Sequence, residues 1–209
     1  MSNVLVLGAS GQIASWAIDI LADRGHTLTL FARNKGRIDN VPAGATVIEG
    51  SADDRAALAE AVRGQDVVYA NLAGNIEEQA KAIDEVMEAA GVKRLIVVTA
   101  LGIYQEVPGE FGRWNRDAVG APTLDIYAAA SEVVEASSLD YTVLRPDWLS
   151  EADEVSCEVS QRDEPFQGTT VSRKCVAALV TDLVTHPEQH VLENLGVNKA
   201  GTDGDRFVW

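Results

Sequence analysis

The chain has 209 residues, a length that suits one α/β domain spanning residues 1–209, and its 46% hydrophobic and 23% charged residues are an ordinary globular composition. Its formal net charge of -15 disfavours nucleic acid and anionic membrane surfaces as partners, because both would repel it. No apolar run approaches the roughly 20 residues that cross a bilayer, and no signal-peptide pattern opens the chain. Cys157 and Cys175 form no CxxC motif, so we expect reduced thiols in a cytoplasmic protein.

Strand-like and helix-like segments alternate along the chain. Short apolar runs predict strands at residues 4–7, 27–32, 46–48, 66–70, 95–99 and 141–144. Apolar residues three and four apart predict helices at residues 13–23, 56–62, 76–90, 124–137 and 171–185, the second capped by Asp53 or Asp54. This alternation predicts an α/β fold, a single doubly wound Rossmann-like parallel sheet with helices on both faces.

Two regions interrupt this alternation and follow predicted strands. Residues 103–122 are rich in glycine and proline and predict a long loop or a short irregular helix. Residues 150–170 are acidic and polar, with Val155, Cys157 and Val159 alternating as in a small strand. Because ligands of open α/β sheets bind at the carboxyl ends of the strands, we expect these regions to form a small substrate-side region.

The first strand leads into a glycine-containing turn. Gly8 permits a tight turn, Gly11 allows a pyrophosphate close to the backbone, and Ala14 lets the helix pack near the strand. The amide groups at the helix N-terminus would face the phosphates, and Ser10 could add a hydroxyl donor. No lysine follows Gly11, which excludes a P-loop. The context between strand and helix indicates a dinucleotide site.

The end of the second strand predicts which dinucleotide binds. An NAD-selective fold places Asp or Glu there to hold the ribose hydroxyls, whereas this chain has Arg33. A guanidinium can pair with a 2′-phosphate in bidentate fashion, and Lys35 and Arg37 add positive charge. We therefore predict NADP (NADPH) as cofactor, with NAD less favoured; the alternative is a solvated basic loop.

Several motifs together resemble the atypical short-chain dehydrogenase/reductase superfamily, in its NmrA-like, NAD(P)H-binding branch. The resemblance covers nearly the whole chain. It rests on the glycine turn at residues 8–14, the segments at residues 49–54, 69–74 and 97–104, the strand at residues 140–146, and Val171-Ser172-Arg173.

The resemblance implies cofactor-binding roles at matching positions. Ser51, where the family usually has Asp, and Ala52 would flank the adenine, and Thr99 would lie beside the nicotinamide ribose. The full set of expected cofactor-binding residues is Gly8, Ser10, Gly11, Gln12, Ile13, Arg33, Asn34, Ser51, Ala52, Asn71, Ala73, Gly74, Thr99 and Pro146.

The catalytic positions depart from the family pattern. Active relatives use a Ser or Thr, a Tyr, and a Lys four residues later that lowers the pKa of the Tyr. Here the candidates are Tyr127 and Thr99, while Ala100 and Ser131 occupy the Ser/Thr and Lys positions. Tyr127 could donate a hydrogen bond or pack near the cofactor. Tyr104 and Trp114 could line a substrate pocket, with packing the simpler role.

Two functions from different classes remain open. One is an NADP(H)-dependent oxidoreductase that transfers hydride to or from a small carbonyl or quinone-like substrate. The other is a catalytically weak NADP(H)-sensing regulatory or binding protein. An S-adenosylmethionine-dependent methyltransferase is less favoured, since it would need an acid where Arg33 stands. We expect no metal site, because Pro187 and the spacing of His186 and His190 do not fit a helical metal motif. The sequence leaves open whether the protein forms an oligomer.

Overall fold

The computed structural model describes residues 1–207, so the expectation that Trp209 packs an apolar tail onto the domain lies outside the described residues. Within residues 1–207 we find no helix with both the length and the hydropathy of a bilayer-spanning segment. The strands are β1 (Asn3–Leu7), β2 (Thr27–Ala32), β3 (Thr46–Glu49), β4 (Val67–Ala70), β5 (Arg94–Val98), β6 (Asp140–Pro146), β7 (Leu149–Ser150), β8 (Glu158–Ser160), β9 (Val171–Ser172) and β10 (Glu193–Asn198). The α-helices are α1 (Gln12–Asp23), α2 (Arg55–Val62), α3 (Ile76–Ala90), α4 (Gly109–Val119), α5 (Ala121–Ala136) and α6 (Arg173–Thr185).

Eight of these strands form one sheet in the order β3-β2-β1-β4-β5-β6-β10-β8. All neighbours in it are parallel except β10 and β8, which are antiparallel at one edge. The strand order reverses between β1 and β4, the switch point where open α/β sheets bind ligands. The short strands β7 and β9 pair separately. The predicted parallel α/β fold is confirmed.

Helices cover both faces of the sheet, which explains the unbroken apolar run in β1. Val4 and Val6 belong to one core cluster, together with the apolar faces of α1 and α6. Leu5 and Leu7 belong to a second cluster, formed with α2, α3 and α5. Because successive residues of a strand point to opposite faces, a strand buried on both sides needs apolar residues at every position.

Residues that the sequence marks as helix ends cap helices in the structure. Of the two candidate caps of α2, Asp54 is the one used: its Oδ1 accepts hydrogen bonds from the backbone N–H of Ala56 (3.0 Å) and Ala57 (3.2 Å). Gly91 ends α3 in the left-handed conformation, with φ of 71°. Asp54 and Gly91 thereby satisfy backbone groups that the helix ends would otherwise leave unpaired.

Two elements differ from the sequence-based expectation. The region expected to be a loop or a short irregular helix contains α4, an eleven-residue helix, and α5 begins at Ala121 rather than at residue 124. The sequence does not predict strand β10, because its segment ENLGVN contains residues with low β-propensity. Its Gly196 is required by tertiary packing, since a Cβ there would lie 2.7 Å from the ring of Phe166.

The expectation of two reduced thiols is wrong, because Cys157 and Cys175 form a disulfide. The chain after β7 folds back over the start of α6 and brings the two Cα atoms to 6.1 Å. A sequence separation of 18 residues without a motif gives no sign of this contact. The prediction of a cytoplasmic location relied on reduced thiols and loses that support.

We predict that the Cys157–Cys175 bond stabilises the fold by constraining the unfolded chain. Reduction, or Cys157→Ser, should lower the free energy of unfolding by about 3 kcal/mol, the value expected for a cross-linked loop of this size. Chemical denaturation with and without a reductant measures the difference. The Cys157→Ser protein, which cannot form the bond, should not respond to the reductant. Identical midpoints for oxidised and reduced wild-type protein would contradict the prediction.

Candidate cofactor and substrate site

The glycine turn after β1 is shaped by its contact with Asn71. Gly8 adopts φ of +79°, and a Cβ at this position would collide with the carbonyl oxygen of Asn71. A Cβ on Gly11 would lie 2.6 Å from Asn71 Nδ2. The backbone N–H of Gly8 donates to Phe31 O (3.0 Å), and that of Asn71 donates to Leu7 O (3.0 Å). Both glycines are therefore needed where the β1–α1 turn packs against the β4–α3 loop.

A cavity of about 630 Å³, here called the glycine-turn cavity, opens beside this turn. Its volume lies within the usual range for small-molecule sites. It is lined by Gly8, Ser10, Gly11, Phe31, Ala32, Arg33, Asn34, Arg37, Gly50, Ala52, Asn71, Leu72, Ala73 and Gln79. Gly11 is the N-cap of α1 and makes no side-chain capping hydrogen bond, and the first turn holds no acidic residue. The N-terminus of α1 therefore offers backbone donors and a favourable dipole to an anion.

The far wall of this cavity carries positive charge. Arg33 and Arg37 line it and are exposed, and within residues 1–207 neither forms an ion pair. Asn34 Oδ1 accepts the N–H of Gly36 at 2.9 Å, which holds the short 3₁₀ turn Lys35–Arg37 against the strand end. The nearest acid on β3, Glu49, accepts the backbone N–H of Lys35 at 3.2 Å. The arrangement presents two unpaired guanidinium groups to a ligand.

A second cavity, here called the Tyr127 cavity, continues the first one along the strand ends and has a volume of about 280 Å³. The two cavities share Gly11, Asn71, Leu72 and Ala73, so they form one groove across the switch point. The Tyr127 cavity is further lined by Gln12, Ile13, Val98, Thr99, Tyr127, Pro146, Leu149 and Arg173. An extended two-part ligand could bind along this groove.

Most of the residues predicted to bind the cofactor lie together in this groove. Gly8, Ser10, Gly11, Arg33, Asn34, Ala52, Asn71 and Ala73 line the glycine-turn cavity. Gln12, Ile13, Thr99 and Pro146 line the Tyr127 cavity. Ser51 and Gly74 line neither of them. Their contact with a cofactor stays a prediction, as do the other roles.

Sequence reasoning missed other residues of the groove, notably Gln79, Leu149 and Arg173. Gln79 is 4% exposed, and its Oε1 has no hydrogen-bond partner among the described residues. Gln79 lies in the first turn of α3, where polar residues are common, so the sequence gives no sign that it borders a cavity. A buried unpaired acceptor in a cavity wall suits a ligand that brings a donor. In the sequence, Arg173 belongs to the Val171-Ser172-Arg173 motif, and the motif by itself assigns it no role.

The two candidate catalytic residues both reach the Tyr127 cavity. Tyr127 is half-buried, and burial raises the pKa of its phenol. Within residues 1–207 the phenol makes no hydrogen bond, so it is available to a ligand. The Thr99 hydroxyl donates to Leu144 O at 3.2 Å, so it can only accept from a ligand without breaking that bond. Tyr127 is therefore the better proton donor.

Ser131, at the position where the family resemblance predicts lysine, does not line this cavity. Ser131 is fully buried, and its Oγ accepts hydrogen bonds from Tyr104 Oη (2.7 Å) and Asn194 Nδ2 (3.2 Å). Asn194 Nδ2 also donates to Glu135 Oε1 at 2.6 Å, and Arg162 stacks over the Tyr104 ring at 4.2 Å. Ser131 and Tyr104 thus belong to a structural network, and among the described residues that line the Tyr127 cavity none is a lysine.

Arg145 and Glu106 form a buried ion pair at the base of the substrate-side region. Their side chains are 0% and 5% exposed, and Arg145 Nη1 lies 2.5 Å from Glu106 Oε1. Arg145 Nε donates to Asn194 Oδ1 at 2.7 Å, and Glu106 accepts the backbone N–H of Gly102 and Tyr104. Such a pair is tolerated in a low-dielectric interior because its remaining polar atoms are satisfied.

Trp114 also has a packing role. It stacks on Phe111 with ring centroids 5.7 Å apart, and it contacts Trp148 at 4.6 Å and Phe207 at 6.5 Å. These rings, together with Leu101 and Phe166, make a third core cluster under the β5–α5 region. Neither Tyr104 nor Trp114 lines the groove.

The two histidines near the end of α6 bind neighbouring groups of the protein. His190 Nδ1 lies 2.7 Å from Glu193 Oε2, and His186 Nδ1 lies 3.2 Å from Asp182 O. In the part of the chain that the structure describes, no three His, Cys, Asp or Glu side chains gather as a metal-binding group.

Asp147 is a buried carboxyl group directly after Pro146. It is 2% exposed, its Oδ1 accepts the backbone N–H of Trp148 at 2.8 Å, and its Oδ2 has no hydrogen-bond partner among the described residues. Burial raises the pKa of Asp147 to about 7, opposed by the hydrogen bond from Trp148. The folded protein therefore keeps this proton to a higher pH than the unfolded chain does.

We predict that Asp147 makes stability fall between about pH 4 and pH 7. In that range the unfolded chain has lost the proton and the folded chain keeps it, so the free energy of unfolding decreases as pH rises. Asp147→Asn should remove this contribution, and the variant should gain stability relative to wild type as pH rises. Urea unfolding at pH 5 and pH 8 measures the difference. Asp117→Asn, at an exposed position of α4, is the control. A constant difference between Asp147→Asn and wild type would contradict the assignment.

Comparison with known proteins agrees with this geometry. A protein-family model described as NAD(P)H-binding matches residues 8–187. A Rossmann-fold NAD(P)-binding family protein from Shigella flexneri is 44% identical, with a TM-score of 0.87 over 100% of this chain and 99% of that one. A short-chain dehydrogenase/reductase from Veillonella parvula DSM 2008, solved in complex with NADP, is 26% identical, with a TM-score of 0.91 over 100% of both chains.

A plant enzyme is also related over part of its length. Phenylcoumaran benzylic ether reductase PT1 from Pinus taeda is 30% identical over 157 residues, which cover 68% of this chain and 47% of that protein. The chain thus spans about half the length of the curated plant reductases it matches.

The strand order and the glycine turn at its switch point define a Rossmann-fold dinucleotide-binding protein. The chain belongs to the NAD(P)H-binding family, with homology to isoflavone-reductase-like, NmrA-like reductases.

Proposed function

We propose that the chain is an NADPH-dependent oxidoreductase that reduces a small carbonyl or quinone-like substrate. The observation that carries the proposal is the continuous groove across the switch point. Unpaired Arg33 and Arg37 line one end of it, and an unbonded Tyr127 phenol lines the other. The small-molecule substrate would bind in the Tyr127 cavity.

The residues of the groove fit a dinucleotide. The uncapped N-terminus of α1 suits the pyrophosphate, and the unpaired acceptor of Gln79 suits a donor such as the adenine amino group. The cavity shared by Gly11, Asn71 and Ala73 leaves room for the middle of an extended molecule. The family assignment and the NADP complex of the Veillonella parvula relative support the same cofactor class.

The preference for NADPH over NADH rests on charge at the end of β2. A guanidinium binds a phosphate dianion through paired, charge-assisted hydrogen bonds. Arg33 and Arg37 have no competing carboxylate partner among the described residues, whereas the nearby Glu49 is engaged by the backbone of Lys35. An NAD-selective site would instead present an acid to the ribose hydroxyls.

The chemistry assigned to the protein is positioning and proton donation. NADPH, when bound, supplies the hydride. Tyr127 keeps its proton at neutral pH because burial raises the pKa of the phenol. It can therefore donate to the oxygen of a carbonyl substrate, while Leu149 and Pro146 provide apolar walls. Because residue 131 is serine rather than lysine, the Tyr127 phenol lacks a nearby positive charge that would lower its pKa and facilitate proton transfer.

The presence of serine rather than lysine at position 131 favours a second candidate function, an NADP(H)-sensing binding protein. Ser131 is held in the network with Tyr104 and Asn194, and it offers no ammonium that could lower the pKa of the Tyr127 phenol. Single-turnover oxidation of bound NADPH by a panel of quinones and aldehydes separates the two functions. An acceptor that oxidises the cofactor supports the enzyme, and a complete absence of oxidation supports the sensor.

We predict that Arg33→Gln weakens NADPH binding by at least about tenfold, because a charge-assisted hydrogen bond contributes roughly 1.5–3 kcal/mol. NADH affinity should change less than about twofold. Titration by nicotinamide fluorescence measures both dissociation constants. Arg63→Gln, which removes an exposed guanidinium outside the groove, should leave both unchanged. Equal losses for the two cofactors would contradict recognition of the 2′-phosphate, and no binding of either would overturn the cofactor assignment.

We predict that Tyr127→Phe slows single-turnover oxidation of bound NADPH at least about tenfold, because the variant lacks the proton donor. The affinity for NADPH should stay within about twofold. The rate is followed by the loss of nicotinamide absorbance with the acceptor found in the panel. Tyr141→Phe removes a buried phenol of β6 outside the groove and serves as the control. An unchanged rate in Tyr127→Phe would exclude Tyr127 from the mechanism.

A further inference from the structure

Among the described residues, one charged side chain lines the Tyr127 cavity. Among the described residues that line this cavity, Arg173 alone is charged, and the others are apolar or neutral. Its side chain is 17% exposed, and it is the first residue of α6. Arg173 Nη1 donates to Leu149 O at 3.3 Å, and Leu149 also lines the cavity. The guanidinium is therefore fixed next to the space assigned to the substrate.

The partner of Arg173 is a carboxylate from the neighbouring loop. Glu151 Oε1 lies 2.5 Å from Arg173 Nη1, yet the Glu151 side chain is 67% exposed. A mostly enclosed guanidinium is thus neutralised by a mostly solvated acid. Because the Glu151 carboxylate is mostly in solvent, its release to water requires little rehydration, provided that another anion pairs with Arg173.

Glu151 begins an acidic strap, residues 151–154, that pairs with three cations. The other two pairs are Asp153 with Lys174 and Glu154 with Lys199. The strap is further tied down where Ser172 Oγ donates to Glu154 O at 2.6 Å. With Asp153 and Glu154 paired elsewhere, Glu151 can leave Arg173 without release of the whole strap.

We propose that the substrate is a small organic anion whose carboxylate binds Arg173 in place of Glu151. This inference rests on the proposed function, since it names the class of molecule that the Tyr127 cavity takes. An incoming carboxylate keeps the enclosed guanidinium paired. A neutral ligand that displaced Glu151 would leave that charge without a partner, so the site discriminates against it. Glu151 holds the position that the substrate carboxylate takes.

The test uses benzoate and benzamide, which have similar shapes and differ in charge. Titration calorimetry measures their binding to the protein alone and to the protein loaded with NADP⁺. Benzoate should bind at least about tenfold more tightly than benzamide, a difference of about 1.4 kcal/mol. Arg173→Gln should abolish this preference, and Arg173→Lys should keep part of it. Glu151→Gln should strengthen benzoate binding, because the competing carboxylate is gone.

Lys174→Gln is the matched control, since it removes a positive charge at the adjacent position outside the cavity. It should leave the preference for benzoate unchanged. Equal binding of benzoate and benzamide to wild type, or a preference that survives in Arg173→Gln, overturns the inference. Weaker benzoate binding by Glu151→Gln also overturns it, and this variant remains informative if Arg173→Gln does not fold.

NADPH affinity, measured in parallel for each variant, separates this inference from the proposed function. If the wild-type protein does not bind NADPH, the proposed function is overturned. Titration of the cofactor-free protein with benzoate and benzamide would still report on Arg173. Normal NADPH binding without a preference for benzoate would overturn only the anion site. A loss of about tenfold or more in NADPH affinity in Arg173→Gln would assign Arg173 to the cofactor and also overturn the anion site.

Discussion

The groove depends on the close packing of Asn71 against the glycine turn. Gly8 and Gly11 both lie against Asn71, one against its backbone and the other against its side chain. The N–H of Asn71 extends the β1–β4 pairing one residue past the strands by donating to Leu7 O. Any side chain at position 8 would push the β4–α3 loop away from the turn. This contact forms the floor that the two cavities share, so the shape of the whole groove follows from it.

Charge is distributed unevenly along this groove, which gives its two ends different chemistry. In a chain with 17 basic and 32 acidic residues, an available carboxylate is seldom far from a cation. Arg33 and Arg37 nevertheless have no ion-pair partner within residues 1–207, whereas Arg173 has a carboxylate from its own chain. The first end is open to an incoming phosphate. In the anion site that we propose, the second end would exchange one carboxylate for another, so that the enclosed guanidinium stays paired.

Ser131, at the position where the family resemblance predicts a catalytic lysine, has a structural role. Its hydroxyl joins Tyr104 and Asn194 in a network that continues through Asn194 to the buried Arg145–Glu106 pair. This network ties β6, β10 and α5 to the loop that leads into α4. Ser131 is thus part of the packing of the substrate-side region.

The sequence by itself determined features that depend on near neighbours. The apolar run of β1, the cap at Asp54 and the spacing of Gly8 and Gly11 each arise from contacts within a few residues, so local patterns indicate them. The parallel fold follows from the alternation of such elements. Only the tertiary structure decided that Cys157 bonds to Cys175, that ENLGVN forms β10, and that Gln79 and Arg173 border the groove. These features depend on chain segments that meet only after folding, because burial and pairing are set by which residues the sheet brings together rather than by which ones follow each other.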